Sequence, residues 1–127
     1  MKKILIYLIS AIAFTACSES LEDRAARDAK EYTEKYCPTP YVNDSRTDSA
    51  SFDKQTRVYT YYMTLRNKAD NEQIISEHRK ELREVQKQSI DNNTGLKQYK
   101  DKHFSFRIIY HSASQPGKVL LDETFKY

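Results

Sequence analysis

Beyond residue 20 the apolar positions of the chain fall into two periods. Leu21, Ala25, Ala29, Tyr32 and Tyr36 recur every three or four residues, which predicts an amphipathic helix from about Leu21 to Tyr36. Ser20 precedes this stripe with Asp23 three residues on, the arrangement of a helix cap, and Pro38 and Pro40 stop it. The segment from Tyr41 to Phe52 is polar and β-leaning, and reads as an edge strand. After a turn near Asp53-Lys54-Gln55 the period becomes two: Tyr59, Tyr61, Met63 and Leu65 alternate with Val58, Thr60, Tyr62 and Thr64. The first set is expected to face the core, and the two strands to form a hairpin.

The helical period returns after the loop Asn67–Asp70. Asp70 is the expected N-cap, and Ile75, His78, Leu82, Val85 and Ser89, supported by Ile74, make the expected buried stripe of a helix ending near Ile90. A shorter helix from Thr94 to Lys102 would bury Leu96 and Tyr99. The last segments alternate again. Phe104, Phe106, Ile108 and Tyr110 share one face, and so do Val119, Leu121, Phe125 and Tyr127. Between them Pro116 presets a turn and Gly117 suits the positive φ of its type II form. Glu123 has core parity, which predicts a place near a sheet edge or strand kink. The order α-ββ-αα-ββ predicts an α+β fold: a four-stranded antiparallel sheet with helices packed on one face.

The N-terminus obeys neither period. Lys2 and Lys3 are followed by the apolar run Ile4–Phe14, broken by Ser10 alone. As a helix it would reach roughly 16 Å at ~1.5 Å per residue, whereas a membrane span needs about 20 residues. This is the pattern of an export signal. A cut after Ala16 would place bulky Phe14 where ordinary signal peptidase wants a small residue. Phe14-Thr15-Ala16-Cys17 instead resembles the bacterial lipobox, an apolar residue and two small ones before a cysteine, with Phe14 standing where Leu is usual. The resemblance implies that residues 1–16 are removed and that Cys17 carries diacylglycerol and an acylated amine. Multiple chains anchor a protein far more firmly than one. Residues 17–20 then form the lipidated end and a short tether, and 21–127 form a single domain; Glu19, Glu22 and Asp23 make the start of the mature chain acidic, as a solvated spacer or the first helical turn would be. Ser18, rather than Asp, follows the cysteine, which points to the outer membrane, on its periplasmic face or at the cell surface. In the mature chain, the succession of helix, Cys37-Pro38, polar strand, the Tyr59–Leu65 strand, charged helix and terminal hairpin resembles small uncharacterised lipoproteins of gut-type Gram-negative bacteria, a resemblance that implies no activity.

Export changes how composition is read. The 127-residue chain carries 21 basic and 18 acidic residues, a formal +3. Loss of Lys2 and Lys3 leaves 19 against 18, so the mature domain is close to neutral and nucleic acid is not an expected partner. Gly95 and Gly117 are the only glycines, which excludes glycine-rich phosphate loops and the nucleotide cofactors they hold. With Cys17 acylated, Cys37 is a lone thiol, read as a small buried residue rather than a reactive one.

Candidate chemistry is sparse. His78, His103 and His111 show no metal-ligand spacing, so no metal is expected. Asp44 and Asp48 are explained by a polar edge strand. Tyr62, on the outward parity of its strand, with Arg57 and Arg66 nearby in sequence, is a candidate partner-binding patch, because Tyr and Arg are enriched in interface hot spots. The alternative is cross-strand packing. Asp48-Ser49-Ala50 matches a short O-glycosylation motif of exported bacterial proteins, which makes Ser49 a candidate acceptor. The functional expectation is a lipid-anchored, non-enzymatic module that binds a protein or peptide of the envelope, as an inhibitor or immunity protein would. A structural or assembly subunit of an envelope complex is the alternative, and a small hydrolase is less favoured.

Overall fold

The computed structural model describes residues 19–127, so the leader and Cys17 lie outside the described residues. The elements are α1 (Leu21–Tyr36), β1 (Ser45–Asp53), β2 (Val58–Leu65), α2 (Glu72–Glu77), α3 (Arg79–Asp91), α4 (Lys97–Asp101), β3 (Ser105–Ser112) and β4 (Val119–Lys126). The class is α+β and the order is the one the periodicities predict. Ser20 caps α1 by accepting from Asp23 N at 3.0 Å. At the last turn of the chain Lys118 N donates to Gln115 O at 3.0 Å across Pro116 and Gly117, and Gly117 has φ +89°.

The pairing differs from expectation at the centre of the sheet. The four strands lie in the order β1-β2-β3-β4. Each hairpin is antiparallel, but β2 and β3 run parallel, so the sheet is mixed rather than antiparallel throughout. The cause is the connection. Residues 66–104 carry the chain through α2, α3 and α4 back to the start of β2, where Ser105 N donates to Arg57 O at 3.1 Å. A parallel pair needs a crossover of a dozen or more residues, and these helices provide it.

Registration of the strands lines the core residues in rows across the sheet. Phe52, Tyr59, Phe106 and Phe125 form one row, and Ala50, Tyr61, Ile108 and Glu123 the next. Tyr99 and Phe104 stack on this layer with centroids 5.6 Å apart, and Tyr59 stacks on Phe106 at 6.1 Å. Tyr99 donates its hydroxyl to Asp28 of α1. Helix α1 lies along β1, with Ala25 and Ala29 fully buried. Thr33 Oγ1 accepts from Ala50 N at 2.8 Å, and Thr39 N donates to Thr47 O at 2.9 Å. These bonds occupy part of the free edge of β1, where an unpaired strand would invite another chain.

Two helical expectations are revised. A 3₁₀ turn, Asn67–Ala69, intervenes before α2, and Asn71 rather than Asp70 is the cap, accepting from Ile74 N at 3.0 Å. Asp70 instead accepts from Ser114 N and Ser114 Oγ at 2.9 and 2.6 Å. The predicted long helix is bent at His78, although hydrogen bonding continues through the bend, from His78 N to Ile74 O and from Leu82 N to His78 O. Its buried face is Ile75, Gln86 and Ile90; Val85 is 64% exposed and His78 is exposed. Lys100 Nζ donates to Ile90 O and Asp91 O at 2.8 and 2.9 Å, satisfying carbonyls at the end of α3.

Glu123 lies on edge strand β4 with its side chain turned inward and only 7% exposed. Arg79 Nε and Arg83 Nη1 donate to its two oxygens at 2.7 and 2.5 Å, tying α3 to the sheet. Arg83 also lies over the Phe125 ring, 4.5 Å from its centroid. A buried carboxylate needs partners of this kind to offset its desolvation.

Candidate functional site

Helices cover the face of the sheet that carries the aromatic rows. The opposite face carries the alternate residues, which register into rows of their own. Ser51, Thr60, Arg107 and Thr124 form one, Ser49, Tyr62, Ile109 and Asp122 the next, and Arg46, Thr64, His111 and Val119 the third; Val119, expected on the face of Leu121, is turned to this side and 50% exposed by the register shift between Tyr110 and His111. A groove of ≈ 1020 Å³ runs over this surface, lined by Phe52, Lys54, Val58, Thr60, Tyr62, Arg107, Asp122 and Thr124.

Its polar groups are held in fixed geometry. Arg107 meets Asp122 fork to fork, Nε to Oδ1 at 2.8 Å and Nη2 to Oδ2 at 2.5 Å. This bond holds the Asp122 carboxyl below its ordinary value and raises the Arg107 guanidinium. Tyr62 stacks on His111, centroids 6.5 Å apart and planes 28° apart. Thr64 Oγ1 donates to Asp48 Oδ2 at 2.5 Å, and Arg46 Nε donates to Asp48 Oδ1 at 2.8 Å. Asp48 sits where a β-bulge shifts the register of β1, and bulges re-aim side chains in this way. The face therefore offers an aromatic ring, hydroxyls and internally compensated charges. Such groups can exchange hydrogen bonds with a polar partner without leaving a charge unpaired.

Tyr62 is on this face as its parity predicts, half-buried. Arg57 and Arg66 are not beside it. They stand at opposite ends of β2, about 30 Å apart at ~3.3 Å per residue. Arg57, in the β1–β2 turn with φ +59°, lies 4.7 Å over the Phe104 ring and donates to Lys102 O at 3.0 Å. Arg66 lies 3.9 Å over the Tyr41 ring and pairs with Asp44 at 3.4 Å. The neighbours Tyr62 does have are Arg107 and His111 of β3. Their outward parity was readable, since they alternate with Phe106, Ile108 and Tyr110. Their place beside Tyr62 depends on the parallel register. Ser49 is half-buried and directly opposite Tyr62. Cys37 closes α1, its N–H donating to Thr33 O at 3.2 Å. It is half-buried rather than buried, and desolvation, then Asp48, pushes its thiol above the ordinary value. Among the described residues no group of three or more His, Cys, Asp or Glu is arranged to hold a metal ion, and no helix is long and apolar enough to cross a membrane.

With the fold and this face defined, the chain can be placed among known proteins. It belongs to a family described as a domain of unknown function, DUF8479, whose model matches residues 20–121. No curated protein matches its sequence. Two solved structures are similar. One is a Pseudomonas aeruginosa protein assigned as secreted, with a TM-score of 0.64 and 12% identity, the match covering 85% of this chain and 95% of that one. The other is EpsS, the pilotin of the Vibrio vulnificus type 2 secretion system, with a TM-score of 0.61 and 16% identity over 81% of this chain and 84% of that one. At such identities the likeness is one of fold.

Proposed function

We propose that the protein is a lipid-anchored lipoprotein of the outer membrane whose domain binds a protein or peptide partner of the envelope through the helix-free face of its sheet. The observation that carries this reading is the open groove with Tyr62 between the rigid Arg107–Asp122 pair and His111. Aromatic and arginine side chains already fixed in place lose little entropy on binding. The export signal and the Cys17 lipobox supply the address, and the fold shared with a secreted protein and a pilotin agrees with it. The pilotin likeness also favours a second reading within the same class, that of an assembly subunit of an envelope secretion complex.

A photo-crosslinking amino acid at Tyr62, introduced in the native host, tests the face. A discrete adduct is expected, and it should disappear when Arg107→Ala is added. Labelling that is diffuse, or indifferent to Arg107, would remove the sheet face as the site. The anchor is tested separately. Cys17→Ser should abolish the lipid mass increment and release the protein from membranes; an unchanged mass shift and partition would end the lipoprotein reading. Ser49 is proposed as an O-glycan acceptor, and intact mass of protein from its own host should then show hexose increments that Ser49→Ala removes.

A further inference from the structure

The two outer edges of the sheet differ. In β1 the backbone groups that point away from β2 are taken up by the chain itself. Ser45 exchanges backbone bonds with Val42 at 2.8 and 3.1 Å. Thr47 O accepts from Thr39 N, and Thr47 N donates to Thr39 Oγ1, both at 2.9 Å. Ala50 N donates to Thr33 Oγ1 at 2.8 Å.

Strand β4 has no such cover. In β3, Ser105 N donates to Arg57 O and Ala113 N, of the same parity, to Leu65 O, so residues of this parity turn their backbone groups to β2. Ser112 N, of the other parity, donates to Lys118 O. Hydrogen bonds alternate sides along a strand. Phe106, Ile108 and Tyr110 therefore bond to their register partners Phe125, Glu123 and Leu121. The N–H and C=O groups of Asp122, Thr124 and Lys126 point out of the sheet, and all three residues are exposed. Among the described residues these backbone groups meet one partner, Arg83 Nη2, which donates to Thr124 O at 3.4 Å. That distance is beyond the usual range of a hydrogen bond. A row of donors and acceptors repeating every ~6.6 Å is complementary to another extended backbone.

Charge narrows the occupant. On the helix side of the edge a groove of ≈ 580 Å³ is lined by Ser76, Glu77, Arg79, Lys80, Arg83 and Glu123, three bases against two acids. Glu123 is buried and already shared by Arg79 and Arg83, whose side chains stay 63% and 46% exposed. On the other side Asp122 is compensated by Arg107, and Lys126 adds a further exposed cation. A second copy does not fit this border, because pairing β4 with β4 would set Arg79 and Arg83 of one copy against those of the other. We propose that the outer edge of β4 is a strand-addition site, at which an extended acidic segment of a partner protein joins the sheet as a fifth strand. Main-chain bonds to Asp122, Thr124 and Lys126 hold it. Its N–H opposite Thr124 replaces Arg83 at the carbonyl, and the freed guanidinium turns to a carboxylate of the incoming strand. This backbone edge is separate from the side-chain groove of the sheet face, and the inference stands without the partner proposed there.

The test uses the full-length protein in phosphatidylcholine nanodiscs, with empty nanodiscs as baseline, and a short fluorescein-labelled peptide of alternating threonine and glutamate. Fluorescence anisotropy reads the affinity. The peptide should bind at least about tenfold more tightly than one with lysine in place of glutamate. Two backbone-methylated versions show whether it binds as a strand. N-methylation of alternate residues in one parity should weaken binding at least about tenfold, because several main-chain bonds are lost, and in the other parity less than about threefold. Thr124→Pro removes an outward N–H that the fold does not use and should weaken binding about tenfold. Thermal melting shows whether that variant is folded; if it is not, the methylated pair decides alone. Tyr62→Ala should bind the peptide as the wild type does. No binding, equal affinity for the two charge types, equal sensitivity to both methylation parities, or unchanged binding by a folded Thr124→Pro variant each overturns the proposal. Loss of binding in Tyr62→Ala would assign the peptide to the sheet face, and a dimer in analytical ultracentrifugation that Thr124→Pro dissolves would assign the edge to a second copy; either result overturns it equally.

Discussion

Glu123 is where removal of surface arginines should be most damaging. Its carboxylate lies on the core face between Leu121 and Phe125, paired in register with Ile108, and is 7% exposed. The side chains that satisfy it are far more open, Arg79 at 63% and Arg83 at 46%. Loss of one arginine leaves the other bonded, and Arg79→Ala alone should cost about 1 kcal/mol, the scale of one charge-assisted bond partly screened by water. Loss of both leaves a buried carboxylate unpaired, for which about 3 kcal/mol is expected. The double variant should therefore lose more than its two single variants together. In a domain of about 100 residues that corresponds to a fall in Tm of roughly 12–20 °C. Glu123→Leu separates pairing from packing. In the wild-type background the arginines return to water and stability should change by no more than about 1 kcal/mol; in the double-alanine background it should restore most of the loss. Urea unfolding followed by circular dichroism reads all these variants. A double-alanine variant within about 0.5 kcal/mol of wild type would refute the assignment of Glu123 as a buried, arginine-dependent anchor. A Glu123→Leu variant as unstable as the double variant would do the same.

Gln86 is 4% exposed, and neither its amide nitrogen nor its amide oxygen meets a hydrogen-bond partner among the described residues. Gln86→Leu should stabilise the fold by about 1–2 kcal/mol in chemical melts, and destabilisation would show that the amide is satisfied in solution. The Cys37 thiol, raised above its ordinary value of 9.0 by burial and then by Asp48, should react with an aromatic disulfide more slowly than free cysteine at pH 8 and speed up as the pH is raised past 9.0; rapid labelling at pH 7 would contradict this. Asp23, Asp70, Asp91, Asp101 and Asp122 are held below their ordinary value of 3.8 chiefly by Lys54, by the Ser112 and Ser114 hydroxyls with the Ser114 N–H, and by Lys87, Lys97 and Arg107 respectively. A depressed carboxyl stabilises the fold fully above its unfolded value and loses that contribution as the pH falls through its folded one. Urea midpoints measured against pH should thus decline below about pH 4, and a protein as stable at pH 2 as at pH 6 would show that these bonds contribute nothing.

Local pattern alone was enough for α1, β2, β3 and the last turn. The stripe from Leu21 to Tyr36 with its Ser20 cap, the alternation through Tyr59–Leu65 and Phe104–Tyr110, and the Pro116-Gly117 turn each follow from neighbours a few residues away, and each is where the periodicity puts it. The outward parity of Tyr62, Arg107 and His111 was legible for the same reason. Tertiary contacts decided the rest. Two hairpins joined by helices can be arranged with their inner strands parallel or otherwise, and it is the return of the chain from Lys102 to Ser105 beside Arg57 that makes β2 and β3 parallel. That register, fixed between residues more than forty apart, sets Arg107 and His111 beside Tyr62 and leaves Arg57 and Arg66 at opposite ends of a strand. It likewise decides which side of α3 meets the sheet, so that Gln86 is buried and Val85 is not. An apolar stripe says that a helix has a face to cover. Only the packing of the other elements says what covers it.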